Sequence, residues 1–459
     1  MIEKLLQPEI RDLIAADDLE TLSEVFSDWL PADIAGLLTS LPEDERPQAF
    51  SAIQGDLAAE TFEYLDPSDQ AWLLEGMTRE KASALLNVMS PDDRTALLEE
   101  VSEETAGEMM NLLSTEEREV ARTLLDFPEN SVGRLMTPDY IAVLEDWTVR
   151  RVLDHIRTHG RNSETLDVIY VVDANNRLVD DVHIRKFLLA EFHTGVADLM
   201  DNQFLALRAT EDQESAIDVF RKYDRTVLPV IDARGRLLGI VTVDDMLDVA
   251  EEEATEDIQK FGGLEALDEP YVSTPLLRMV RKRASWLVIL FLGEMLTATA
   301  MGFFEGQIAR AVVLALFVPL IISSGGNSGS QAATLIIRAL ALGEVKLRDW
   351  WLVMRRELFS GLILGLILGT IGFLRIAVWS MFSQIYGPHW ALVGLTVGLS
   401  LIGIVLWGTL AGSMLPFILK RFGADPATSS APFVATLVDV TGLIIYFTVA
   451  VLVLRGTLL

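Results

Sequence analysis

The chain has 459 residues, half of them hydrophobic, and it combines a mean hydropathy of +0.33 with a formal net charge of −30. Residues 271–459 carry seven acidic and 14 basic side chains, a net of +7, which leaves 60 acidic and 23 basic side chains, a net of −37, on residues 1–270. This division excludes a simple water-soluble enzyme, and the negative half argues against a nucleic-acid partner because it repels phosphate. The absence of cysteine excludes disulfides and thiolate metal sites.

Residues 1–130 are predicted to form an acidic, all-α, superhelical domain of short amphipathic helices. Segments such as SPDDRTALLEEV (90–101) and STEEREVARTLL (114–125) begin with a serine cap and acidic residues and continue with leucine. Their recurrence indicates a helical repeat. The opening segment MIEKLLQPEIRDLIAADD lacks the apolar core of a signal peptide, so we expect this domain in the cytosol.

Residues 131–250 contain an internal duplication. LDVIYVVDANNRLVDDVHI (166–184) and RTVLPVIDARGRLLGIVTVDDMLDV (225–249) each combine a β-branched strand, a turn, a second strand and the start of a helix. The duplication resembles tandem CBS modules, at about 135–195 and 196–250, with an α+β fold. In that family a Gly-x-x-Thr-x-x-Asp segment contacts an adenosine ribose, so the resemblance implies a candidate ATP site at Gly239, Thr242 and Asp245.

Residues 251–283 are predicted to form an acidic connector helix. EEEATEDIQKFGG (251–263) is followed by ALDEPYVSTPLLRMVRKR (266–283), so the charge changes from negative to positive along the segment. A solvated linker is the alternative. The change of sign favours a connector close to the membrane.

Residues 284–459 are predicted to form an α-helical membrane domain, because five apolar stretches are long enough to cross a bilayer. They lie near 285–304, 311–336, 358–381, 390–418 and 432–454. Basic residues concentrate before the first span, between the second and third, and between the fourth and fifth. By the positive-inside rule the chain is a multi-pass protein of the cytoplasmic membrane, with its N-terminus in the cytosol and its C-terminus outside.

Asp439 is the most informative ionisable residue of this domain. It lies in PFVATLVDVTGLIIYF (432–447) with no basic residue nearby in sequence, at a depth where a charge is costly. Either it is hydrogen-bonded or protonated between helices, or it faces a water-filled cation path. Pore lining and close helix packing are both open for a set of small, polar and proline residues in the second and fifth spans: Pro319, Gly325, Gly326, Asn327, Gly329 and Pro432.

The order of these parts resembles the MgtE family of magnesium channels along essentially the whole chain. The resemblance rests on five segments, which are FPENSVGRLMTPDYIAV (127–143), EEEATEDI (251–258), FVPLIISSGGNSGSQ (317–331), RALALGEV (338–345) and DPATSSAPFVATLVDVTG (425–442). It implies a homodimer in the lipid bilayer with an Mg²⁺-selective pore between the subunits. Asp439, Ala435 and Asp425 match positions of that pore. The family has Gly or Asn where this chain has Ala431, before Pro432.

The resemblance also implies that intracellular Mg²⁺ binds between the acidic domains and the connector and closes the pore. The matching residues are Asp212, Glu214, Asp224, Asp245, Asp248, Glu253, Glu256 and Asp257, which Glu60 and Asp92 or Asp93 would face from the first domain. Apposed carboxylates repel one another until divalent cations neutralise them, so such a set can act as a sensor.

Two other functions remain open at the level of sequence. One is a proton- or cation-coupled secondary transporter of divalent metals, which Asp439 would serve equally well. The other is a membrane-anchored CBS sensor without transport. No enzyme is expected, since the chain has no P-loop, no HExxH pair and only five histidines.

Overall fold

The computed structural model describes residues 2–267, Tyr271 and residues 274–458. Residues 268–270, 272 and 273 of the predicted connector therefore lie outside the described residues. The chain divides into two compact units, Met1–Glu251 and Glu252–Leu459, and each is described by itself.

The first part of the acidic unit is helical, as predicted. Its helices are α1 (Ile2–Ala15), α2 (Leu19–Ser27), α3 (Pro31–Ser40), α4 (Arg46–Ser51), α5 (Asp56–Glu63), α6 (Pro67–Glu75), α7 (Arg79–Leu86), α8 (Pro91–Glu100), α9 (Glu103–Leu112) and α10 (Thr115–Leu125). The predicted caps lie at the predicted positions. The Ser114 hydroxyl accepts the Glu117 N–H at 3.1 Å, while Ser90 precedes Pro91 and donates to Asp93 at 2.6 Å. One core of leucine, isoleucine, phenylalanine and alanine holds these helices together.

The remainder of this unit confirms the tandem CBS duplication. The first module contains β1 (Ala142–Leu144), α11 (Val149–His159), β2 (Val168–Val172), β3 (Leu178–His183) and α12 (Ile184–Leu189). The second contains β4 (Leu207–Arg208), α13 (Gln213–Tyr223), β5 (Val227–Ile231) and β6 (Leu237–Thr242), followed by α14 (Val243–Phe261). In each module the first strand pairs parallel and the third antiparallel with the middle one. The two hairpin tips bond to each other, from Leu178 N–H to Gly235 O and from Leu237 N–H to Asn176 O.

The connector helix differs from its predicted bounds of 251–283. Helix α14 begins at Val243, directly after β6, and ends at Phe261. Gly262 and Gly263 follow, and Gly263 has a φ of +76°, a left-handed conformation that glycine adopts without strain and that ends helices. Among the described residues the next helix begins at Leu276, so α14 and the helix of the first span are separate there.

Within its described residues the second unit has five helical stretches that are long and apolar enough to cross a membrane, as predicted. Its helices are α15 (Leu276–Phe303), α16 (Glu305–Arg310), α17 (Val318–Ala341), α18 (Trp350–Ser380), α19 (Trp390–Arg421) and α20 (Ala431–Leu454). Span two opens with a 3₁₀ turn at Val312–Phe317, and span three with another at Leu347–Asp349. Helices α17 and α19 form the centre, α18 packs on α19, and α20 packs on both central helices. Helix α15 has no buried residue and packs mainly against α20.

Glycines let the central helices approach closely. Gly361, Gly365 and Gly369 of α18 lie against α19, where a methyl group on Gly365 would lie 2.8 Å from the Ile402 Cα. Between α17 and α19 the contact is closer still, since a methyl group on Gly412 would lie 2.0 Å from the Gly329 carbonyl oxygen. Small residues provide such contacts in membranes, where burial of apolar surface does not drive helix association.

Candidate functional site

Asp439 lies in the middle of α20, on the face that α17 covers in part. Its carboxylate makes no hydrogen bond or ion pair with any described residue. On α17, a methyl group on Gly326 would lie 3.6 Å from Asp439 Oδ1 and 3.4 Å from the Cβ of Ala435, one turn earlier on α20. The structure therefore brings Asp439, Ala435 and Gly326 together where α20 faces α17.

The other predicted pore or packing residues of α17 have distinct surroundings. The helix continues without a break from Val318 to Ala341 through the glycine-rich segment. Gly325 and Gly329 are buried against α19 and α20, so they serve close packing. Asn327 is exposed within one chain and donates weakly to Ser323 Oγ at 3.4 Å. Pro319 stands in the first turn, where proline starts a helix rather than bending it.

Asp425 lies just before α20 and holds the end of the connector helix. Its Oδ1 accepts the Ala427 N–H at 2.8 Å, and its Oδ2 lies 2.9 Å from Nζ of Lys260 on α14. The same ammonium lies 2.6 Å from Glu256 Oε1. Although burial opposes its charged form, these two carboxylates raise the pKa of Lys260. Lys260 thus stands between two carboxylates that need a cation, and no sequence pattern marked it as a functional residue.

Asp257, Trp286 and Pro432 also lie around the end of α14. Burial, and then the charge of Asp425, raises the pKa of Asp257. A methyl group on Gly263 would lie 2.8 Å from the Trp286 ring of α15 and 3.2 Å from Cγ of Pro432. The indole N–H of Trp286 donates to Ser430 Oγ at 3.1 Å. Pro432 and Trp286 therefore both lie beside Gly263, directly after the end of α14.

In the acidic unit a group of carboxylates gathers where α8 meets α14. Asp92 and Asp93 of α8 interact electrostatically with Asp245 and Asp248 of α14. The Asp92 Oδ1 atom is buried and makes no hydrogen bond with a described residue. We call these four residues, together with Glu63, Glu164 and Asp244, the α8–α14 cluster. Its members absent from the sequence prediction are Glu63, Glu164 and Asp244.

The α8–α14 cluster favours protons or cations. Burial, followed by the charge of Asp245, raises the pKa of Asp92 well above its usual range. Burial also raises the pKa of Asp245 and of Glu63 to about 7, although hydrogen bonds from Thr242 and Ser90 oppose it. Carboxylates crowded in this way repel one another when they are ionised, and a proton or a cation relieves that repulsion.

Other predicted sensing residues are not brought into the α8–α14 cluster. Asp212 caps α13 by accepting the Glu214 N–H at 2.9 Å, and Asp224 ends the same helix with a φ of +48°. Glu60 is exposed at the edge of the cluster, where its charge contributes to the raised pKa of Glu63. Glu253 lies on α14 between the α8–α14 cluster and Lys260.

The candidate nucleotide residues contact one another or the backbone. Asp245 accepts hydrogen bonds from the Thr242 hydroxyl at 2.6 Å and from the Thr242 N–H at 3.2 Å. A methyl group on Gly239 would lie 2.7 Å from the Thr137 carbonyl, so this glycine permits close backbone packing. Among the described residues no group of three or more His, Asp or Glu side chains forms a ready-made metal site.

Three family models match the chain. The "Divalent cation transporter" model of MgtE matches residues 318–449, the "MgtE intracellular N domain" model matches 29–130, and the CBS domain model matches 132–192 and 196–252. A curated relative from Thermus thermophilus, named magnesium transporter MgtE, is 39% identical over 458 residues, which are 99% of this chain and 100% of the relative. Its namesake from Bacillus subtilis is 28% identical over 441 residues, 95% of each chain.

Solved structures agree with the fold of the acidic unit. One is described as the cytosolic domain of the Mg²⁺ channel MgtE in complex with ATP; it is 33% identical, has a TM-score of 0.51 and covers 53% of this chain and 100% of its own. Another, described as the soluble part of a magnesium transporter, is 25% identical, has a TM-score of 0.52 and covers 55% of this chain and 99% of its own.

Proposed function

The chain belongs to the MgtE family of magnesium transporters, and we propose that it is a homodimeric, Mg²⁺-selective channel that takes up magnesium and closes when intracellular Mg²⁺ binds its acidic unit. The observation that carries the proposal is Asp439, an unpaired carboxylate within the fifth span beside the small residues Gly326 and Ala435. In a symmetric dimer the two copies of Asp439 form a pair of negative charges. Such a pair attracts a divalent cation and holds it through its waters.

The α8–α14 cluster supports the regulatory half of the proposal. Without divalent cations its carboxylates repel one another, which opposes the contact between α8 and α14. Mg²⁺ removes this repulsion and stabilises the contact. Since α14 continues to Lys260, which bonds Asp425 just before α20, a change in α14 acts directly on the segment that precedes Asp439.

The charge pattern supports the proposed orientation. Basic residues flank the spans at the end where the connector enters, and the opposite connections contain few of them. The acidic unit and the connector then face the cytosol, and the end of α20 faces outward. This places the α8–α14 cluster in contact with intracellular Mg²⁺.

The proposal is tested by Mg²⁺ flux into liposomes that contain the purified full-length chain. Asp439→Asn removes the charge with little change of shape and should abolish flux, whereas Glu344→Gln, an exposed carboxylate of the same unit, should leave it unchanged. Raising Mg²⁺ on the side of the acidic unit should stop flux through the unmodified protein. Normal flux through Asp439→Asn would contradict the pore assignment.

The same liposomes separate the alternatives. A channel gives a current that reverses with the Mg²⁺ gradient at equal pH on both sides, whereas a coupled transporter needs a second gradient. A CBS sensor without transport gives no flux at all. ATP belongs to the proposal as a ligand of the CBS modules because a related cytosolic domain is complexed with it. Adding ATP on the side of the acidic unit should change the Mg²⁺ concentration that stops flux.

A further inference from the structure

A groove opens between the start of α18 and the end of α19. Its volume is about 570 Å³. The lining residues lie on one face of each helix, since Trp350 and Met354 are four residues apart on α18, and Met414, Phe417 and Arg421 are spaced by three and four on α19. Arg348, from the 3₁₀ turn before α18, completes the rim.

The groove combines an apolar floor with two guanidinium groups. Met354, Met414 and Phe417 supply the floor. At the rim, the Arg421 guanidinium makes no hydrogen bond or ion pair with any described residue, and the nearest acid to Arg348 is Asp349, with 3.9 Å between Nε and Oδ1. The Asp349 carboxylate is itself engaged, because it accepts the Lys346 N–H at 2.9 Å. The two arginines therefore have most of their hydrogen-bonding capacity free.

The position of the groove specifies the class of ligand. Helices α18 and α19 are antiparallel neighbours, so the start of one and the end of the other lie at the same end of the membrane unit. This end carries most of the unit's basic residues, and Trp350 stands there, as tryptophan does at the boundary between lipid and water. A guanidinium binds phosphate in a planar, two-point arrangement, and an apolar groove beneath it accepts an acyl chain.

We propose that the groove between α18 and α19 binds an anionic phospholipid, with Arg348 and Arg421 on the headgroup phosphate and an acyl chain over Met354, Met414 and Phe417. The occupant is a lipid rather than free phosphate, because the floor is apolar and lies within two membrane-spanning helices. The lipid is anionic because no acidic side chain fully neutralises the charges of Arg348 and Arg421 among the described residues. The site is independent of Asp439 and of the α8–α14 cluster.

The test is native mass spectrometry of the purified full-length chain with phosphatidylglycerol or phosphatidylcholine of the same acyl chains. The chain should retain phosphatidylglycerol in preference. Arg348→Gln with Arg421→Gln should reduce that retention by about 30-fold, the effect of two basic residues near an anionic headgroup. Lys346→Gln with Lys420→Gln makes the same change of charge on the same two connections outside the groove and should leave retention within about twofold.

A second variant tests the apolar floor. Met414→Trp fills the groove without changing charge and should also lower phosphatidylglycerol retention. If the arginine and lysine double variants lost phosphatidylglycerol retention equally, the proposal would be overturned, because surface charge alone would then explain binding. Equal retention of phosphatidylcholine, or displacement of the lipid by inorganic phosphate, would overturn it as well. So would an arginine pair that alters the oligomeric state and leaves lipid retention unchanged.

Discussion

Replacing Asp245 by asparagine should stabilise the acidic unit in the absence of divalent cations. The change removes one charge from the α8–α14 cluster and keeps an oxygen that can accept the Thr242 hydroxyl hydrogen bond. The pKa of Asp245 rises from an ordinary 3.8 to about 7 in the folded unit, chiefly through burial and then, after the opposing Thr242 hydrogen bond, through the charge of Asp244. A carboxylate that binds its proton more tightly when folded destabilises the fold whenever it is ionised.

The magnitude follows from the difference in pKa. Below pH 3.8 the carboxyl is protonated in both states and there is no penalty; the penalty grows between pH 3.8 and 7 and is complete above pH 7. At about 1.4 kcal/mol per pKa unit, it is about 1.6 kcal/mol at pH 5 and about 4 kcal/mol at pH 8. Partial access of water to Asp245 reduces the change between these two pH values to about 2 kcal/mol.

The assay is urea denaturation of residues 1–261 in EDTA at pH 5 and pH 8, since related soluble parts have been solved alone. The variant should have a larger free energy of unfolding than the unmodified fragment at both pH values. The difference between the two proteins should be about 2 kcal/mol greater at pH 8 than at pH 5. Saturating Mg²⁺ should stabilise the unmodified fragment more than the variant. Asp146→Asn, at an exposed carboxylate outside the cluster, serves as the control. An equal pH dependence in both proteins would refute the assigned repulsion.

Two further predictions concern packing in the two units. Arg94 is buried, donates to the Leu86 carbonyl and pairs with Glu117. Arg94→Met should therefore lower the free energy of unfolding of the 1–261 fragment, measured in urea, by about 3 kcal/mol. Arg122→Met, which removes an exposed ion pair, should change it by less than about 0.5 kcal/mol. Equal losses of stability in the two variants would contradict a buried ion pair between Arg94 and Glu117. Gly412→Ala would place a methyl group 2.0 Å from the Gly329 carbonyl oxygen. It should destabilise the full chain by about 1–3 kcal/mol and so lower its thermal unfolding midpoint in detergent. Gly306→Ala, where a methyl group would meet no atom within 4 Å, should leave the midpoint unchanged. An unchanged midpoint for Gly412→Ala would refute the close contact of α17 and α19.

The parts that sequence predicted well depend on local patterns. Five apolar stretches are fixed by length and hydropathy, and the glycines of α18 repeat every fourth residue, so their common face follows from helical geometry. Helix α18 of the third span begins at Trp350, earlier than the predicted start near residue 358, because Arg355 and Arg356 continue the helix beyond its apolar part.

The parts that sequence missed depend on distant contacts. Glu63 and Glu164 come from segments far apart in the chain, and only the folded unit places Glu63 beside α8 and Glu164 near Asp244 of α14. Lys260 looked like an ordinary basic residue at the end of an acidic helix, and its bond to Asp425 spans 165 positions of sequence. The end of α14 at Phe261 was also missed, because the predicted connector continued to residue 283, although Gly262 and Gly263 follow the helix and glycine commonly ends helices.

The isolation of α15 has a consequence for biosynthesis. This helix buries no residue and packs mainly against α20, which begins only at Ala431. At about 5–20 residues per second, the ribosome needs on the order of ten seconds to reach α20 after completing α15. During that interval the first span must persist in the bilayer as an independent helix, without its eventual neighbour. Its apolar segment, with Phe291 and Leu292 exposed, allows the helix to remain in lipid until α20 has been synthesised.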